Sequence, residues 1–263
     1  MWRNPVYRTL GRMAPARQSG SSITRALRVV EAVAAAGDGV TAKAIARRLG
    51  APLPTVYRAL GTLVDEGYLV RLHDVRGYGL GYRLAELHRS LTDQVRPPGP
   101  LREALRTVHT AGGAAAYVAV FRDVDVVIAD VDDCADHPRP AALRVGEPTP
   151  AHATAAGKVM LAGLRPARLA ELLEHAGLPR IAPRTVADRR TLDRELMRIR
   201  SDGAAVEVEE WEPGVAGVAA PVTGPDGEIE AALGVSVSRE EFAARRWELE
   251  GVVRSAAAHA SAR

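Results

Sequence analysis

The chain has 263 residues, of which 47% are hydrophobic and 25% charged, a size that allows two domains and a composition typical of globular proteins. It has no apolar run of about 18 residues that would predict a membrane span, and its first residues lack the apolar segment of a secretory signal. The single cysteine, Cys134, excludes an intrachain disulfide and a thiolate metal cage. We expect a cytoplasmic protein.

Charge is distributed unevenly along the chain. The net charge is +3, but residues 1–90 carry 14 basic and 6 acidic side chains, whereas the remainder carries 21 and 26. Arginine supplies 33 of the 35 basic residues, a bias that would act on both parts and therefore does not explain the difference. The asymmetry predicts that the N-terminal third contacts a polyanion, with a merely solvated basic face as the alternative.

The first part of the chain has the pattern of three short helices, preceded by a basic arm, residues 1–20, that we expect to be disordered. Ser21 or Ser22 can cap the first helix. Its apolar residues recur at helical spacing and predict its buried face: Ile23, Ala26, Leu27, Val30, Val33 and Ala34. Thr41 can cap a second helix, which ends at Gly50.

The third helix has a sharply defined start in the segment APLPTVYRALGTLVDEGYL. Pro52 and Pro54 suit its first turn, where no N–H is needed, and Gly67 is predicted to follow its end. Two short helices joined by a tight turn form a helix-turn-helix. The segments YLVRL and YGLGYRL predict two strands that form a β-wing. Residues 21–80 are therefore predicted to form a winged helix-turn-helix domain.

The apolar stripe of the third helix, which includes Val56 and Leu60, leaves a polar face outside. We expect its N-terminal half to enter the major groove of DNA, while the second helix and the wing contact phosphates. The predicted DNA-binding residues are Thr41, Lys43, Arg47, Arg48, Pro54, Thr55, Tyr57, Arg58, Thr62, Arg71 and Arg76. Tyr57 fits a partly buried packing position equally well. A module that contacts protein is the alternative, which steeply salt-dependent DNA binding would exclude.

Residues 81–96 are predicted to form a linker helix whose leucine edge suits self-association. Residues 97–263 are predicted to form an α+β domain, in which flanking helices pack on an antiparallel sheet. Helices are predicted over 101–113, 152–164, 166–176, 188–202 and 239–260. Strands are predicted over 115–122, 125–133, 141–148, 204–212, 214–223 and 228–238.

Both parts resemble the isocitrate lyase regulator (IclR) family of bacterial transcription factors. The matching segments of the first part are SSITRALRVVEAVA, PTVYRALGTLVDEGYL and YGLGYRLAEL. Those of the second are HATAAGKVMLAGL and GAAVEVEEWEPGVAGVAAPVTGPDGEIEAALGVSVS. The resemblance implies a regulator with a GAF-like effector-binding domain that forms homodimers and commonly tetramers. It also implies that a small organic acid controls binding to operator DNA, as a repressor or an activator.

The resemblance further implies where the effector lies. Its carboxylate would rest on the backbone N–H groups of Ala155 and Ala156, because a helix start offers free donors and a favourable dipole to an anion. The residues placed around the ligand are Thr149, Ala155, Ala156, Glu207, Val215, Gly217, Gly234 and Ser236.

The sequence departs from the family pattern at several of these positions. Glu207 stands where aspartate or serine is usual, and Gly217 and Gly234 stand where side chains are frequent. Loss of those side chains predicts a larger pocket and an effector that is bulkier or less polar than a small keto acid. At the third helix, Leu53 and Pro54 replace polar residues, so base contacts are expected to be fewer or shifted.

An enzyme that acts on a small carboxylic acid and carries a regulatory DNA-binding domain is the alternative function. His152 is expected to pack or hydrogen-bond near the helix start, and Cys134 stands in no catalytic motif. Residues 206–212 alternate acids with apolar residues, as in a half-exposed strand. We predict no catalytic residue, no metal site and no cofactor, since the spacing of cysteine and histidine fits no metal-binding motif.

Overall fold

The computed structural model describes residues 21–261, so the predicted basic arm, residues 1–20, lies outside the described residues. The chain divides into two compact units, with the boundary between Leu91 and Thr92. Within the described residues, no helix combines the length and the apolar character needed to cross a membrane.

Three helices and a two-stranded wing form the first unit. Its elements are α1 (Ser22–Ala36), α2 (Ala42–Leu49), α3 (Leu53–Asp65), β1 (Leu69–Leu72) and β2 (Gly77–Leu80). Ser21 and Thr41 cap α1 and α2 by accepting backbone N–H groups. Two prolines lie in or next to the first turn of α3, and Gly67 beyond its end has a φ of +76°, a backbone conformation that favours glycine.

The core of the first unit lies where the three helices meet. Of the predicted buried face of α1, Val33 is buried and Ala26 and Val30 pack against the core, but the rest is not buried. Its buried residues are Val29, Ala32 and Val33, whereas Ile23 and Leu27 are 72% and 60% exposed. The helix has two apolar stripes, and its spacing does not indicate which one packs on its neighbours. Val56, Leu60 and Leu63 of α3 complete the core, joined by Ala42, Ile45, Ala46 and Leu69.

The predicted linker helix is present as α4 (Tyr82–Val95) and crosses the boundary between the units. Leu84 is half-buried and Leu87 is exposed.

The second unit is built on a six-stranded antiparallel sheet in the order β5-β4-β3-β8-β7-β6. The strands are β3 (Ala115–Arg122), β4 (Asp125–Asp132), β5 (Pro148–Thr149), β6 (Ala205–Val208), β7 (Val215–Thr223) and β8 (Ile229–Ser238). The predicted strand over 141–148 is wrong, because most of that segment forms turns and only its last residue pairs in β5. β6 is shorter than predicted, since the chain turns at Glu209, which has a φ of +56°.

Helices cover both faces of this sheet. They are α5 (Gly99–Gly112), α6 (Ala155–Gly163), α7 (Pro166–Ala176), α8 (Arg189–Asp202) and α9 (Arg239–Ser261). Helices α6, α7 and α8 share one core with Tyr117, Ala119 and Ile128 of the sheet. Successive strand residues alternate between the two faces of the sheet. Val118, which lies between Tyr117 and Ala119, therefore points to the opposite face, which α5 and α9 cover. Nearly all of α6 is buried, which fixes its start against the sheet.

Candidate functional site

The N-terminal half of α3 carries the exposed polar face that the sequence predicted. Pro54, Arg58 and Thr62 are exposed, Tyr57 is 51% exposed, and Thr55 is half-buried. Tyr57 is therefore a surface residue and not a packing residue. Thr62 donates to the backbone oxygen of Arg58, and within residues 21–261 the guanidinium of Arg58 makes no hydrogen bond.

Basic side chains are also exposed on α2 and the wing. Lys43, Arg47 and Arg48 are exposed on α2, and Arg71 and Arg76 are exposed on the wing. The hydroxyl of Thr41 accepts the N–H of Ala44 at 3.3 Å, so this side chain is already engaged as a helix cap. The first unit thus presents positive charge on α2, α3 and the wing, the arrangement that a duplex requires.

The second candidate site lies at the start of α6. Thr154 caps the helix, and its Oγ1 accepts the N–H of Gly157 at 3.1 Å. Gly157 lies so close to the backbone of Ala151 that a Cβ there would collide with it. The tight packing leaves the N–H groups of Ala155 and Ala156 pointing towards the sheet.

The first of these N–H groups already has an acceptor from the sheet. The N–H of Ala155 donates to Oε2 of Glu207 at 3.1 Å, in a buried hydrogen bond between residues 52 positions apart. Tyr117 lies beside the next residue, Ala156, and the two line the same small cavity. The helix start therefore holds a carboxyl group that belongs to the protein itself.

A small cavity of about 10 Å³ lies beside these groups, with room for about one water molecule. Apolar and aromatic side chains form much of its wall, and hydroxyl and carboxyl groups form the rest. Its lining residues are Tyr117, Ile128, Leu143, Thr149, Thr154, Ala156, Glu207, Trp211 and Ser236.

The structure brings some of the predicted effector residues together and separates others. Thr149, Ala156, Glu207 and Ser236 line the cavity, and Ala155 donates to Glu207. Three further predicted residues lie outside its lining: Val215, Gly217 and Gly234.

The predicted enlargement of the pocket at the two glycines is wrong. At Gly234 the Tyr117 ring fills the space, because a Cβ there would lie 3.0 Å from Cζ of that ring. At Gly217 a Cβ would strike the carbonyl oxygen of Val235, so a side chain would point at the neighbouring strand.

A buried ion cluster holds α6 in place. Lys158 is 1% exposed, and its Nζ donates to Glu210 Oε1 at 2.7 Å and to Glu195 Oε2 at 2.9 Å. Burial alone would lower the pKa of Lys158, but the two carboxylates outweigh burial and raise it. One ammonium thereby ties α6 to α8 and to the loop after β6.

Burial also controls the protonation of the groups at the helix start. It raises the pKa of Glu207 to about 8, although the positive charge of Lys158 acts in the opposite direction. Burial raises the pKa of Tyr117 as well, with a further contribution from Glu207. At neutral pH Glu207 is therefore mainly a neutral carboxylic acid that can both donate and accept hydrogen bonds.

Sequence reasoning missed three residues of this region: Tyr117, Lys158 and Trp211. Lys158 had a detectable signal, because it is the only charged residue of an otherwise apolar helix and must find buried acids. Tyr117 is the large residue that follows three alanines in a buried strand. Trp211 gave no signal, because its position depends on the turn at Glu209.

The remaining candidates for chemistry have structural roles or lie on the surface. Nε2 of His152 is 3.0 Å from the carbonyl oxygen of Pro179, and burial lowers the pKa of His152. Cys134 is exposed. Over residues 21–261, no group of three or more His, Cys, Asp or Glu residues is arranged to hold a metal ion.

Both units match models of known protein families. The model of the IclR helix-turn-helix domain matches residues 22–73, and that of the bacterial transcriptional regulator IclR C-terminal domain matches residues 101–262. An HTH-type transcriptional regulator of Mycobacterium tuberculosis is 32% identical over 88% of this chain and 87% of that protein. The transcriptional repressor IclR of Escherichia coli is 26% identical over 89% of this chain and 84% of its own.

Solved structures agree with this placement. The IclR crystal structure from Thermotoga maritima has a TM-score of 0.72 and 25% identity, covering 92% of this chain and 97% of that one. An IclR homologue from Microbacterium hydrocarbonoxydans, complexed with 4-hydroxybenzoate, has a TM-score of 0.69 and 26% identity, covering 92% and 98%.

A winged helix-turn-helix with a basic outer face, followed by an α+β unit with a small internal cavity, defines a DNA-binding transcriptional regulator with a sensing domain. Family models match most of the chain, and the homologues are regulators of the same kind. The chain belongs to the IclR family of bacterial transcriptional regulators.

Substitution Lys158→Met should destabilise the second unit by about 3–5 kcal/mol, because it leaves Glu210 and Glu195 without their shared cation. Urea unfolding followed by tryptophan fluorescence measures the loss. The control is Arg168→Met, which breaks an exposed pair with Glu171 and should cost about 1 kcal/mol or less. Similar small losses for the two variants would contradict a central role for the buried cluster.

Substitution Glu207→Gln should remove a pH-dependent loss of stability. Since the folded-state pKa of Glu207 is raised to about 8, its contribution is complete at acid pH and is lost as pH rises towards that value. Between about pH 5 and pH 8, the free energy of unfolding of the variant should rise relative to that of the wild type, by at most about 1.4 kcal/mol per pH unit. Unfolding free energies across this range test it, with the exposed Glu174→Gln as control. Parallel curves for all three proteins would refute the assignment.

Proposed function

We propose that this regulator binds operator DNA through α3 and that a small organic acid, bound beside the start of α6, sets its affinity for DNA. The exposed face formed by Tyr57, Arg58 and Thr62 carries the first part of this proposal. The core of the unit holds the opposite side of α3, so these side chains are available to a duplex.

The remaining predicted contacts have separate roles. Lys43, Arg47 and Arg48 of α2, with Arg71 and Arg76 of the wing, contact phosphates and position the domain. Thr55 and the exposed Pro54 approach the groove at the beginning of α3, and Thr41 contacts DNA near its cap. These residues contribute affinity that is independent of sequence, whereas Arg58 reads a base edge.

We further propose that the protein works in the cytoplasm as a homodimer or a dimer of dimers. A dimer presents two copies of α3 to successive major grooves, about 34 Å apart, on a pseudo-palindromic operator. The effector acts by binding with different affinity to DNA-competent and DNA-incompetent arrangements. The bound 4-hydroxybenzoate of the Microbacterium homologue supports an organic acid as the effector.

Sensing without turnover is the proposed role of the second unit. Two hydroxyl groups that line its cavity are committed to structural hydrogen bonds, which supports binding over catalysis. Thr149 donates to the carbonyl oxygen of Val126 at 3.2 Å, and Thr154 accepts the N–H of Gly157. We therefore propose no enzymatic activity for this chain.

Substitution Arg58→Ala should weaken operator binding by about 1–3 kcal/mol and relax the base preference at one position, because a guanidinium pairs with guanine in the major groove. Lys43→Ala should weaken binding to all sequences alike and reduce the salt slope by about one. Fluorescence anisotropy with operator and scrambled duplexes at several salt concentrations measures both effects. The operator comes from sequencing duplexes that the purified protein selects.

The matched control is Arg198→Ala, which removes an exposed arginine of the second unit. It should leave binding to either duplex unchanged. If Arg58→Ala behaves like this control on both duplexes, α3 is not the recognition helix. Wild-type protein that binds no duplex at low salt would refute the proposed function as a whole.

A further inference from the structure

The start of α6 is occupied by the protein's own carboxyl group. Glu207 is 4% exposed, and its Oε2 accepts the N–H of Ala155, one of the two donors that an organic acid would use. The second donor, the N–H of Ala156, lies beside Tyr117, and both residues line the closed cavity. An effector carboxylate therefore has to compete with Glu207 for its position.

The position of Glu207 follows from the sheet. In β6 alternate residues are buried, so Ala205 and Glu207 face α6, and Glu207 pairs with Gly217 on β7. This register brings the carboxyl group to the first turn of α6. The ion cluster of Lys158, three residues after Ala155, holds the same helix, so the carboxyl group and the helix start meet at a defined distance.

The charges that face Glu207 disfavour a second anion. Tyr117 approaches from β3, Lys158 from α6, and Glu210 and Glu212 from the segment after β6. The one cation of this set is already bound by Glu210 and by Glu195. An ionised Glu207 beside an ionised ligand would place a further negative charge in a buried space without a matching cation.

A protonated Glu207 removes this conflict, because a carboxylic acid can donate its proton to a carboxylate. The cavity walls identify the rest of the ligand. Ile128, Leu143 and Trp211 supply an apolar and aromatic lining that suits a ring once displacement of Glu207 has enlarged the cavity beyond its volume of about 10 Å³.

We propose that Glu207 is a built-in occupant of the effector's carboxylate position, and that an aromatic carboxylic acid displaces it and binds only when Glu207 is protonated. The acid takes the N–H of Ala155, and Glu207 remains beside it as a neutral donor. Above the pH at which Glu207 ionises, binding takes up one proton from solvent. This inference rests on the proposed function, of which it specifies the ligand class and a specificity-determining residue.

Acetate tests the occupancy directly, because it matches the group that Glu207→Ala removes. Acetate should raise the melting temperature of this variant in a concentration-dependent manner, and an equal concentration of acetamide should not. The wild type and Glu207→Gln, which keep an occupant, should show no acetate-specific rise. Acetate stabilisation of all three proteins, or of none, overturns the proposal. Circular dichroism establishes that the variant is folded.

Benzoate tests the proton coupling, since it has no second group that titrates near pH 8. Calorimetry between pH 6 and pH 9.5 should show wild-type affinity falling about tenfold per pH unit above the pKa of Glu207, which is about 8. The affinity of Glu207→Gln should stay constant, which keeps the proposal testable even if Glu207→Ala does not fold. The same pH dependence in both proteins, or no binding by either at pH 6, overturns the proposal.

Operator binding distinguishes a failure of this inference from a failure of the proposed function. If Glu207→Gln binds operator like the wild type but its benzoate affinity has the wild-type pH dependence, this inference fails and the regulator assignment stands. If benzamide binds the wild type more tightly than benzoate across the pH range, the pocket takes a neutral ligand and the inference fails.

Discussion

The second unit depends on one buried cation. Lys158 lies in the middle of α6, where every other residue is apolar or glycine, and its ammonium group contacts acids on α8 and after β6. Withdrawing such a group from water is costly unless it is paired and hydrogen-bonded, so the three elements are held in one arrangement. This pairing also fixes the position of the start of α6 and of the groups around it.

The helix-turn-helix shows a different balance between local and tertiary forces. The prolines, the caps at Ser21 and Thr41, and Gly67 are local signals, so the sequence predicted the boundaries of α1, α2 and α3 closely. The buried face of α1 was predicted only in part because both of its stripes are apolar. Which stripe packs is decided by α2 and α3, and the period of a single helix does not contain that information.

The effector site was predictable only in part, for a related reason. Resemblance located the helix start at Ala155 and placed Glu207 beside the ligand, whereas the alternation over 206–212 indicated only a half-exposed strand. The pairing of Glu207 with the N–H of Ala155 links residues 52 positions apart and depends on the register of several strands. The turns over 141–148 were mistaken for a strand because their apolar residues pack on the core without joining the sheet.

The chain has only two lysines, and they differ sharply in their exposure to solvent. Arginine supplies nearly all of its basic residues, and the two lysines lie in opposite environments: Lys43 is exposed on α2, and Lys158 is sealed within the second unit. An amine-directed reagent would therefore modify Lys43 in the native protein and reach Lys158 only when that unit opens. Modification of Lys43 would report whether the basic face is covered by a partner. Modification of Lys158 would report whether the core of the second unit is intact.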